Sequence, residues 1–367
     1  MHILIAPDSF KESLSALEVA KAIRNGLQAS LPKATFDLMP VADGGEGTAL
    51  ALAQNKRMTL KRVKLEHAYS QSKEVSYALD HEMAVFDMAA ICGLELIPEN
   101  ERHSLMVSTE GVGEMIRFLV NEGVKKILIG VGGSATNDGG IGMAKALGYD
   151  FKDESSRSVE ALAKNLSVIK TIQSDNQLDL SGITIVVLAD VTNPLCGPDG
   201  AAYTYGPQKG LTAFEIEQVD RDLEQFYEDH FPDLLGQISL GAGGGMAAGL
   251  RAFAGATVTS GISYLLDTID FDRRASVADL VIVGEGRLDR QSLSGKAPIG
   301  VAKRVPSGKK VIAICGSVSD DISGFPINGI DAAFPIIPNI PDSKAALFKK
   351  TSVNLERTGA AIGQLLL

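Results

Sequence analysis

Short apolar runs recur along the 367-residue chain, separated by longer segments in which apolar residues return every three or four positions. Most of the short runs are continuously apolar and rich in Ile and Val, which is typical of strands buried on both faces of a parallel sheet. We predict eight such strands, at residues 3–6, 36–41, 84–88, 127–131, 183–189, 280–283, 311–315 and 333–337. The helical periodicity predicts helices over residues 14–31, 112–121, 141–147, 213–230, 246–253, 295–305 and 344–366.

The alternation of strands and helices predicts an α/β fold with mainly parallel sheets. Two segments depart from the alternation. Residues 61–79 alternate polar and apolar side chains, which favours antiparallel strands, and residues 150–181 are polar and Ser-rich, which favours a surface insertion or an irregular helix. The length suggests about two or three domains, and a discontinuous domain stays open because no flexible linker marks a boundary.

The composition is that of a globular protein, with 45% hydrophobic and 22% charged residues. The net charge of −10 argues against nonspecific binding to nucleic acid, although it leaves anionic small substrates open. Cys92, Cys196 and Cys315 are far apart and form no zinc spacing, which favours a reduced, cytoplasmic setting. The first apolar run is too short for a signal sequence, and no run approaches the roughly 18 residues of a membrane span. We therefore expect no membrane partner.

The most informative motif is GVGGSATNDGG at residues 130–140, between a predicted strand and a predicted helix. A glycine-rich turn that opens a helix can surround a phosphate with backbone N–H groups. Asn137 and Asp138 in the same turn could bind a metal ion or a hydroxyl group. The motif therefore indicates an enzyme that handles phosphate.

Four other predicted strands also end in acidic and small polar residues, at residues 7–13, 42–48, 190–194 and 284–289. Each loop alone could be a helix cap or a turn, because Asp, Asn, Ser and Gly serve both purposes. Ligands of open parallel sheets bind beyond the carboxyl ends of the strands. Five such loops therefore favour convergence on one site.

Other nucleotide and metal motifs are absent or weak. There is no complete P-loop motif, and two G-x-G-x-x-A matches begin at Gly130 and Gly243 without the setting that a dinucleotide fold needs. The five histidines are scattered, so transition-metal hydrolysis and a Ser-His-Asp nucleophile are disfavoured. Carboxylates among oxygen-bearing side chains suit Mg²⁺. Phosphate or carboxylate charge could be neutralised by Lys11, Lys209, Arg287 and Lys296.

Seven motifs together resemble the type I glycerate kinases over essentially the whole chain. They are APDSFKESLSA (6–16), PVADGGEGT (40–48), GGSATNDGG (132–140), DVTNPLCG (190–197), YGPQKG (205–210), GAGGGMAAGL (241–250) and GEGRLDRQS (284–292). The resemblance implies transfer of the ATP γ-phosphoryl group to D-glycerate with Mg²⁺, mostly giving 2-phosphoglycerate in bacterial members. It also implies two α/β domains with Rossmann- or flavodoxin-like sheets, one built from both chain ends, with the active site in the interdomain cleft. We place the discontinuous domain at residues 1–65 plus 290–367 and the inserted domain at 66–289.

Two departures from the family pattern are small. Asp87 stands where relatives often have Glu, a shortened carboxylate that could shift the reach to a ligand. Ser294 stands where His is frequent, so any role of that His is absent here. Neither change removes the core of a motif.

The chemistry needs bound phosphates, an aligned hydroxyl group and an acceptor for its proton. We assign Asp43 to the hydroxyl and its proton, with Asp8 as second choice, and Lys11 and Arg287 to the substrate carboxylate or the transferring phosphoryl group. Asp190 and Asp138 are the predicted Mg²⁺ ligands. The predicted nucleotide contacts are Gly132, Gly133, Ser134, Thr136, Asn137 and Lys296. A nicotinamide-dependent oxidoreductase, a carboxylate-binding sensor and a homo-oligomeric assembly stay open.

Overall fold

The computed structural model describes residues 1–68, 71–290, 292–338 and 343–367. Its strands are β1 (His2–Pro7), β2 (Thr35–Leu38), β3 (Thr59–Ala68), β4 (Gln71–Asp80), β5 (Met83–Asp87), β6 (Lys126–Gly130), β7 (Asp150–Lys152), β8 (Thr171–Gln173), β9 (Thr184–Leu188), β10 (Thr257–Thr259), β11 (Leu280–Leu288), β12 (Lys310–Val318) and β13 (Ala332–Pro335). Its α-helices are α1 (Ala16–Ser30), α2 (Thr48–Lys56), α3 (Ala89–Cys92), α4 (Glu110–Asn121), α5 (Ile141–Ala146), α6 (Ala201–Tyr205), α7 (Ala213–His230), α8 (Met246–Ala254), α9 (Gly261–Thr268), α10 (Phe271–Val277), α11 (Ala297–Arg304), α12 (Lys344–Lys349) and α13 (Thr351–Leu365).

The eight predicted strands are all present, as β1, β2, β5, β6, β9, β11, β12 and β13. The predicted helix at 344–366 forms two helices, α12 and α13, which are separated at Lys350. The segment 61–79 is antiparallel as predicted, with residues 69 and 70 outside the described residues. The polar segment 150–181 contains the short antiparallel pair of β7 and β8, with a 3-10 helix at Ala163–Val168 between them. The predicted α/β class with mainly parallel sheets is therefore confirmed.

The chain forms two compact units. The first unit consists of Met1–Asp43, Leu50–Arg57 and Ile262–Leu367. Its sheet has the strand order β13-β12-β11-β1-β2, and all neighbouring strands run parallel. Residues 3–7 of β1 and 280–285 of β11 are buried, which fits the continuous apolar runs at residues 3–6 and 280–283. Parallel pairing brings the carboxyl ends of β1 and β11 to the same edge.

Helices α1 and α13 pack closely within the first unit. A capping box begins α1, because the Glu18 N–H donates to Ser15 Oγ over 3.4 Å and the Ser15 N–H donates to Glu18 Oε2 over 2.9 Å. Its apolar face lies in the core of this unit and includes Ile23 and Leu27. Gly26 permits the close approach of α13, since a Cβ atom here would lie 2.0 Å from the carbonyl oxygen of Glu356.

The second unit consists of Gly44–Ala49 and Met58–Gly261. Its main sheet has the order β10-β9-β6-β5-β4-β3. Strands β10, β9, β6 and β5 run parallel, whereas β4 and β3 extend the sheet as antiparallel strands. In register, Asp87 at the end of β5 pairs with Gly130 at the end of β6, and Gly130 pairs with Leu188 at the end of β9. The motif loops that follow these strands therefore leave the same edge of this sheet.

This division differs from the domain boundaries predicted from sequence. Strand β11 fell in the predicted inserted domain (66–289), but it pairs with β1 and β12 in the sheet of the first unit. Most of β3 fell in the predicted discontinuous domain, but it pairs with β4 in the second sheet. The difference arises because long-range strand pairing assigns these segments, and no shift in composition marks where the chain passes between the sheets.

Among the described residues, no helix combines the length and the apolar character that crossing a membrane requires.

Candidate active site

The sheet of the first unit places two acidic residues side by side. Pro7 at the end of β1 pairs with Gly284 of β11, and the next N–H, that of Asp8, donates to the Gly284 carbonyl oxygen over 2.8 Å. Glu285 follows Gly284 directly. The shared carboxyl edge of β1 and β11 therefore carries both acids, as predicted for strand-end loops.

Asp43 joins this acidic cluster. After β2 the chain turns back to β1, where the Val41 N–H donates to the Pro7 carbonyl oxygen over 3.0 Å. The pKa of Asp8 is raised well above its usual value, first by burial and then by repulsion from Asp43, and nearby Lys11 partly opposes the shift. Asp8, Asp43 and Lys11 are thus close enough to interact electrostatically, as the sequence-based assignment needs.

Glu285 is a candidate site residue that lies in the motif at residues 284–292 but is not among the site residues predicted from the sequence. It is only 8% exposed, and its Oε1 atom has no hydrogen-bond partner among the described residues. Burial raises its pKa to about 7, opposed by a Ser292 hydrogen bond and by the charge of Lys296, and reinforced by Asp289 and Asp43. Its position between two glycines, directly after a predicted buried strand, is the sequence feature that could have indicated it.

The two other predicted cations of the first unit differ in their surroundings. Lys296, at the N-terminus of α11, lies near enough to Glu285 to lower its pKa. Arg287 is 65% exposed, lies 3.8 Å from an Asp289 oxygen, and donates to Ser319 Oγ over 3.4 Å. Lys296 therefore belongs to the acidic cluster, whereas the contacts of Arg287 lie at the exposed end of β11. Gln291, in the same motif, lies outside the described residues.

In the second unit, the turn after β6 presents backbone N–H groups that no described residue accepts. They belong to Gly133, Ser134, Thr136 and Asn137, whereas the N–H groups of Gly132 and Ala135 donate to other backbone carbonyls. The Asn137 side chain is fully buried, and neither its Oδ1 nor its Nδ2 atom has a partner among the described residues. Buried polar groups of folded proteins are almost always satisfied, so such groups point to a water molecule or a ligand.

The side chains of Ser134 and Thr136 are turned inward. Both residues are buried, Thr136 Oγ1 donates to the Gly243 carbonyl oxygen over 3.4 Å, and Ser134 Oγ accepts from the buried amine of Lys209. Only Gly132 and Gly133 of the predicted nucleotide contacts in this turn are partly exposed. The hydroxyl groups of the turn are therefore engaged within the protein, and Gly132 and Gly133 form its accessible part.

Asp138 has a different environment from the one expected of a magnesium ligand. It is fully buried, and its oxygens accept from the N–H and hydroxyl groups of Thr109 and from the N–H groups of Gly140 and Gly142, over 2.8 to 3.3 Å. Burial raises its pKa, and these hydrogen bonds oppose the shift. Four donors already occupy the two oxygens, so the geometry points to a structural role for this carboxylate and we leave it out of the metal site.

The Asp87 carboxylate also accepts hydrogen bonds from backbone N–H groups. At the end of β5, its carboxylate accepts from the Gly47 N–H over 2.9 Å and the Ala49 N–H over 3.0 Å. Burial raises its pKa to about 7, which these hydrogen bonds oppose. The shorter side chain that replaces the frequent Glu thus anchors the segment Gly44–Ala49 to the sheet.

Asp190, the other predicted metal ligand, follows β9 at the same sheet edge as the turn. It is half-buried and accepts a hydrogen bond from the Ser260 hydroxyl over 2.5 Å. Within the described ranges, no three His, Cys, Asp or Glu side chains cluster in a way that could hold a metal ion. A single carboxylate remains compatible with Mg²⁺, which usually takes one or two carboxylates and completes its shell with phosphate oxygens and water.

Comparison with known proteins identifies the family of this chain. The sequence profile described as the glycerate kinase family matches residues 3–367. A protein from Neisseria meningitidis serogroup B described as glycerate kinase is 46% identical over 100% of this chain and 99% of its own. Glycerate 2-kinase from Escherichia coli K12 is 39% identical over 93% of this chain and 91% of its own. A crystal structure of a candidate glycerate kinase 2 from Salmonella typhimurium LT2 superposes with a TM-score of 0.82 at 40% identity, covering 100% of this chain and 98% of that one. The chain belongs to the glycerate kinase family.

Proposed function

We propose that this protein transfers the γ-phosphoryl group of ATP to D-glycerate in an Mg²⁺-dependent reaction, giving 2-phospho-D-glycerate and ADP. Family membership supports glycerate as the acceptor and ATP as the donor. The description of the Escherichia coli relative as a glycerate 2-kinase supports phosphorylation at the 2-position. The single observation that carries the proposal is the turn after β6, in which four backbone N–H groups have no acceptor among the described residues.

The turn after β6 would bind the phosphates of the nucleotide. Donors without any charged side chain are supplied by the N–H groups that lack an acceptor in the described ranges, those of Gly133, Ser134, Thr136 and Asn137. Such backbone nests bind anions because several N–H dipoles point at one place. The Asn137 amide, which has both a donor and an acceptor unpaired, adds a further polar group beneath the turn. Lys296 stays a predicted nucleotide contact.

Asp190 is the residue we propose to hold Mg²⁺. Its position after β9 is at the same sheet edge as the turn after β6, and this position fits a carboxylate that shares the ion with phosphate oxygens. Mg²⁺ held by Asp190 would supply positive charge that offsets the negative charge developing during transfer. The Ser260 hydroxyl orients the Asp190 carboxylate through its hydrogen bond.

Asp43 is proposed to align the glycerate hydroxyl and to accept its proton. Asp8, the alternative, has a raised pKa because it is buried and faces Asp43 and Glu285. A raised pKa makes a carboxylate a stronger base when it is ionised, so Asp8 stays the second candidate for accepting the proton. Lys11 and Arg287 stay proposed partners of that carboxylate or of the transferring phosphoryl group.

A coupled assay of ADP release with D-glycerate, ATP and Mg²⁺ tests the proposal. We expect turnover that EDTA abolishes, and a ³¹P NMR spectrum of the product that matches 2-phosphoglycerate. Absence of ADP release from folded protein would refute the kinase assignment, and the 3-phospho isomer would refute the position. Glycerate-dependent change of NADH absorbance, without ATP, would instead favour the oxidoreductase. Glycerate binding without ATP turnover would favour the sensor.

A further inference from the structure

Lys209 is a deeply buried basic residue whose amine contacts the turn after β6. The motif YGPQKG brings it there through α6 and a 3-10 helix at Pro207–Lys209. The residue is only 3% exposed, and its amine donates to the Thr136 carbonyl oxygen over 2.6 Å and to Ser134 Oγ over 3.2 Å. A buried amine is costly unless it is hydrogen-bonded, so these contacts are the reason it is tolerated.

The amine is enclosed by two glycine-rich turns. Gly244 adjoins it with φ of +71°, and a Cβ atom there would lie 1.8 Å from the Thr136 carbonyl oxygen and 2.9 Å from Lys209 Nζ. The Gly139 N–H also donates to the Gly244 carbonyl oxygen over 3.3 Å. The turn after β6 and the turn before α8 thus meet around the Lys209 amine.

The charges around Lys209 are few. Burial lowers its pKa to about 7, and the Cys92 thiol and the Asp138 carboxylate oppose the shift. Asp138 itself is occupied by four hydrogen bonds from Thr109, Gly140 and Gly142. The hydrogen bonds of Lys209 are therefore directed at the turn rather than at a carboxylate.

We propose that Lys209 is a positioning residue, which holds the Thr136 carbonyl oxygen inward so that the N–H groups of the turn face a bound phosphate. A peptide plane carries its C=O and the following N–H on opposite sides, because the trans peptide is planar. Fixing the Thr136 carbonyl toward Lys209 therefore directs the Asn137 N–H the other way. This inference rests on the proposed phosphate-binding role of the turn.

The test compares Lys209→Met with Lys309→Met. Lys309 is the matched control because its amine also donates to a backbone carbonyl, that of Ala278, over 2.6 Å, and it does not contact the turn. Lys209→Met should raise the ATP dissociation constant, measured by calorimetry, by about 10- to 100-fold, the range for loss of a charged hydrogen bond. It should raise KM for ATP similarly and change KM for glycerate less than about twofold. Lys309→Met should change neither.

Hydrogen exchange gives a second readout that needs no nucleotide. The amide of Ala135, which donates to the Cys92 carbonyl oxygen over 2.8 Å, should exchange at least about tenfold faster in Lys209→Met, while the amides of β6 keep their wild-type rates. If Lys209→Met does not fold, Lys209→Gln, which retains a donor and buries no charge, should show the same changes at smaller size.

The outcomes separate the two proposals. A wild-type protein that binds no ATP would refute the proposed function, and exchange would then decide alone whether Lys209 holds the turn. A wild-type protein that binds ATP, with a Lys209 variant that binds it within twofold and exchanges normally, would overturn the positioning role. An equal rise of both substrate KM values with general loss of protection would also overturn it, because the residue would then be only a structural one.

Discussion

The sharpest prediction concerns Asp138, whose buried carboxylate is expected to stabilise the turn rather than to bind a metal ion. The perturbation is Asp138→Asn, which preserves the shape of the side chain and removes its charge. One oxygen of Asp138 accepts from the Thr109 N–H, the Thr109 hydroxyl and the Gly142 N–H, and the other accepts from the Gly140 N–H. An Asn oxygen placed at the first position leaves its NH₂ group facing the Gly140 N–H.

The magnitude follows from these contacts. The Gly140 N–H loses its acceptor in a fully buried site, which costs about 1–3 kcal/mol. The three remaining hydrogen bonds lose charge assistance, at up to about 1 kcal/mol each. Release of the buried charge offsets part of this loss, because burial raises the pKa of Asp138 and the carboxylate therefore carries a desolvation penalty. We expect a net loss of about 2–4 kcal/mol in the free energy of unfolding.

The assay is urea unfolding without magnesium, followed by magnesium titration of the activity. Asp190→Asn is the matched control, since this Asp follows another strand of the same sheet and is the proposed metal ligand. We expect Asp138→Asn to lose stability and keep its Mg²⁺ requirement, and Asp190→Asn to need about tenfold more Mg²⁺ with a smaller stability change. A stable Asp138→Asn protein with strongly weakened Mg²⁺ dependence would refute this reasoning and restore Asp138 to the metal site.

Three further predictions test other parts of the molecule. Asp43→Asn should lower kcat by about 10²–10⁴-fold with little change in nucleotide affinity, and it would be contradicted by wild-type turnover or by a defect mainly in ATP binding. Because the pKa of Glu285 is raised to about 7 from 4.5, its contribution to stability is fully present below pH 4.5 and is lost as the pH rises through 7. The wild-type free energy of unfolding in urea should therefore fall between pH 5 and pH 8, and Glu285→Gln should remove up to about 3 kcal/mol of that fall. A variant that loses as much stability between pH 5 and pH 8 as the wild type would contradict this prediction. Gly26→Ala should destabilise the protein by about 1–3 kcal/mol or more, because the added Cβ would lie 2.0 Å from the Glu356 carbonyl oxygen, whereas Gly324→Ala, with no atom within 4 Å of its added Cβ, should be tolerated in the same thermal unfolding experiment.

The sequence alone determined the fold class and most of its strands, for a physical reason. A strand buried on both faces must be apolar throughout, so β1, β6 and β11 are visible as uninterrupted runs of Ile, Val and Leu. The short strands β7, β8 and β10 have only three residues each and carry no such signal. The sequence also indicated the loops that we propose to bear the chemistry, because glycines and acids follow the buried strands.

Only the tertiary structure decided which strands share a sheet and what each loop residue contacts. Strand β11 joins β1 across more than 270 residues, and no local pattern encodes that pairing. Asp138 and Asp190 are equivalent in the sequence, as acids in strand-end loops, yet one is enclosed by four donors and the other is half-buried beside a serine. The position of Lys209 under the turn depends on the packing of segments more than 70 residues apart. Residue type sets which interactions a side chain can make, whereas burial and neighbours set which of them it makes, because both arise only when distant segments pack together.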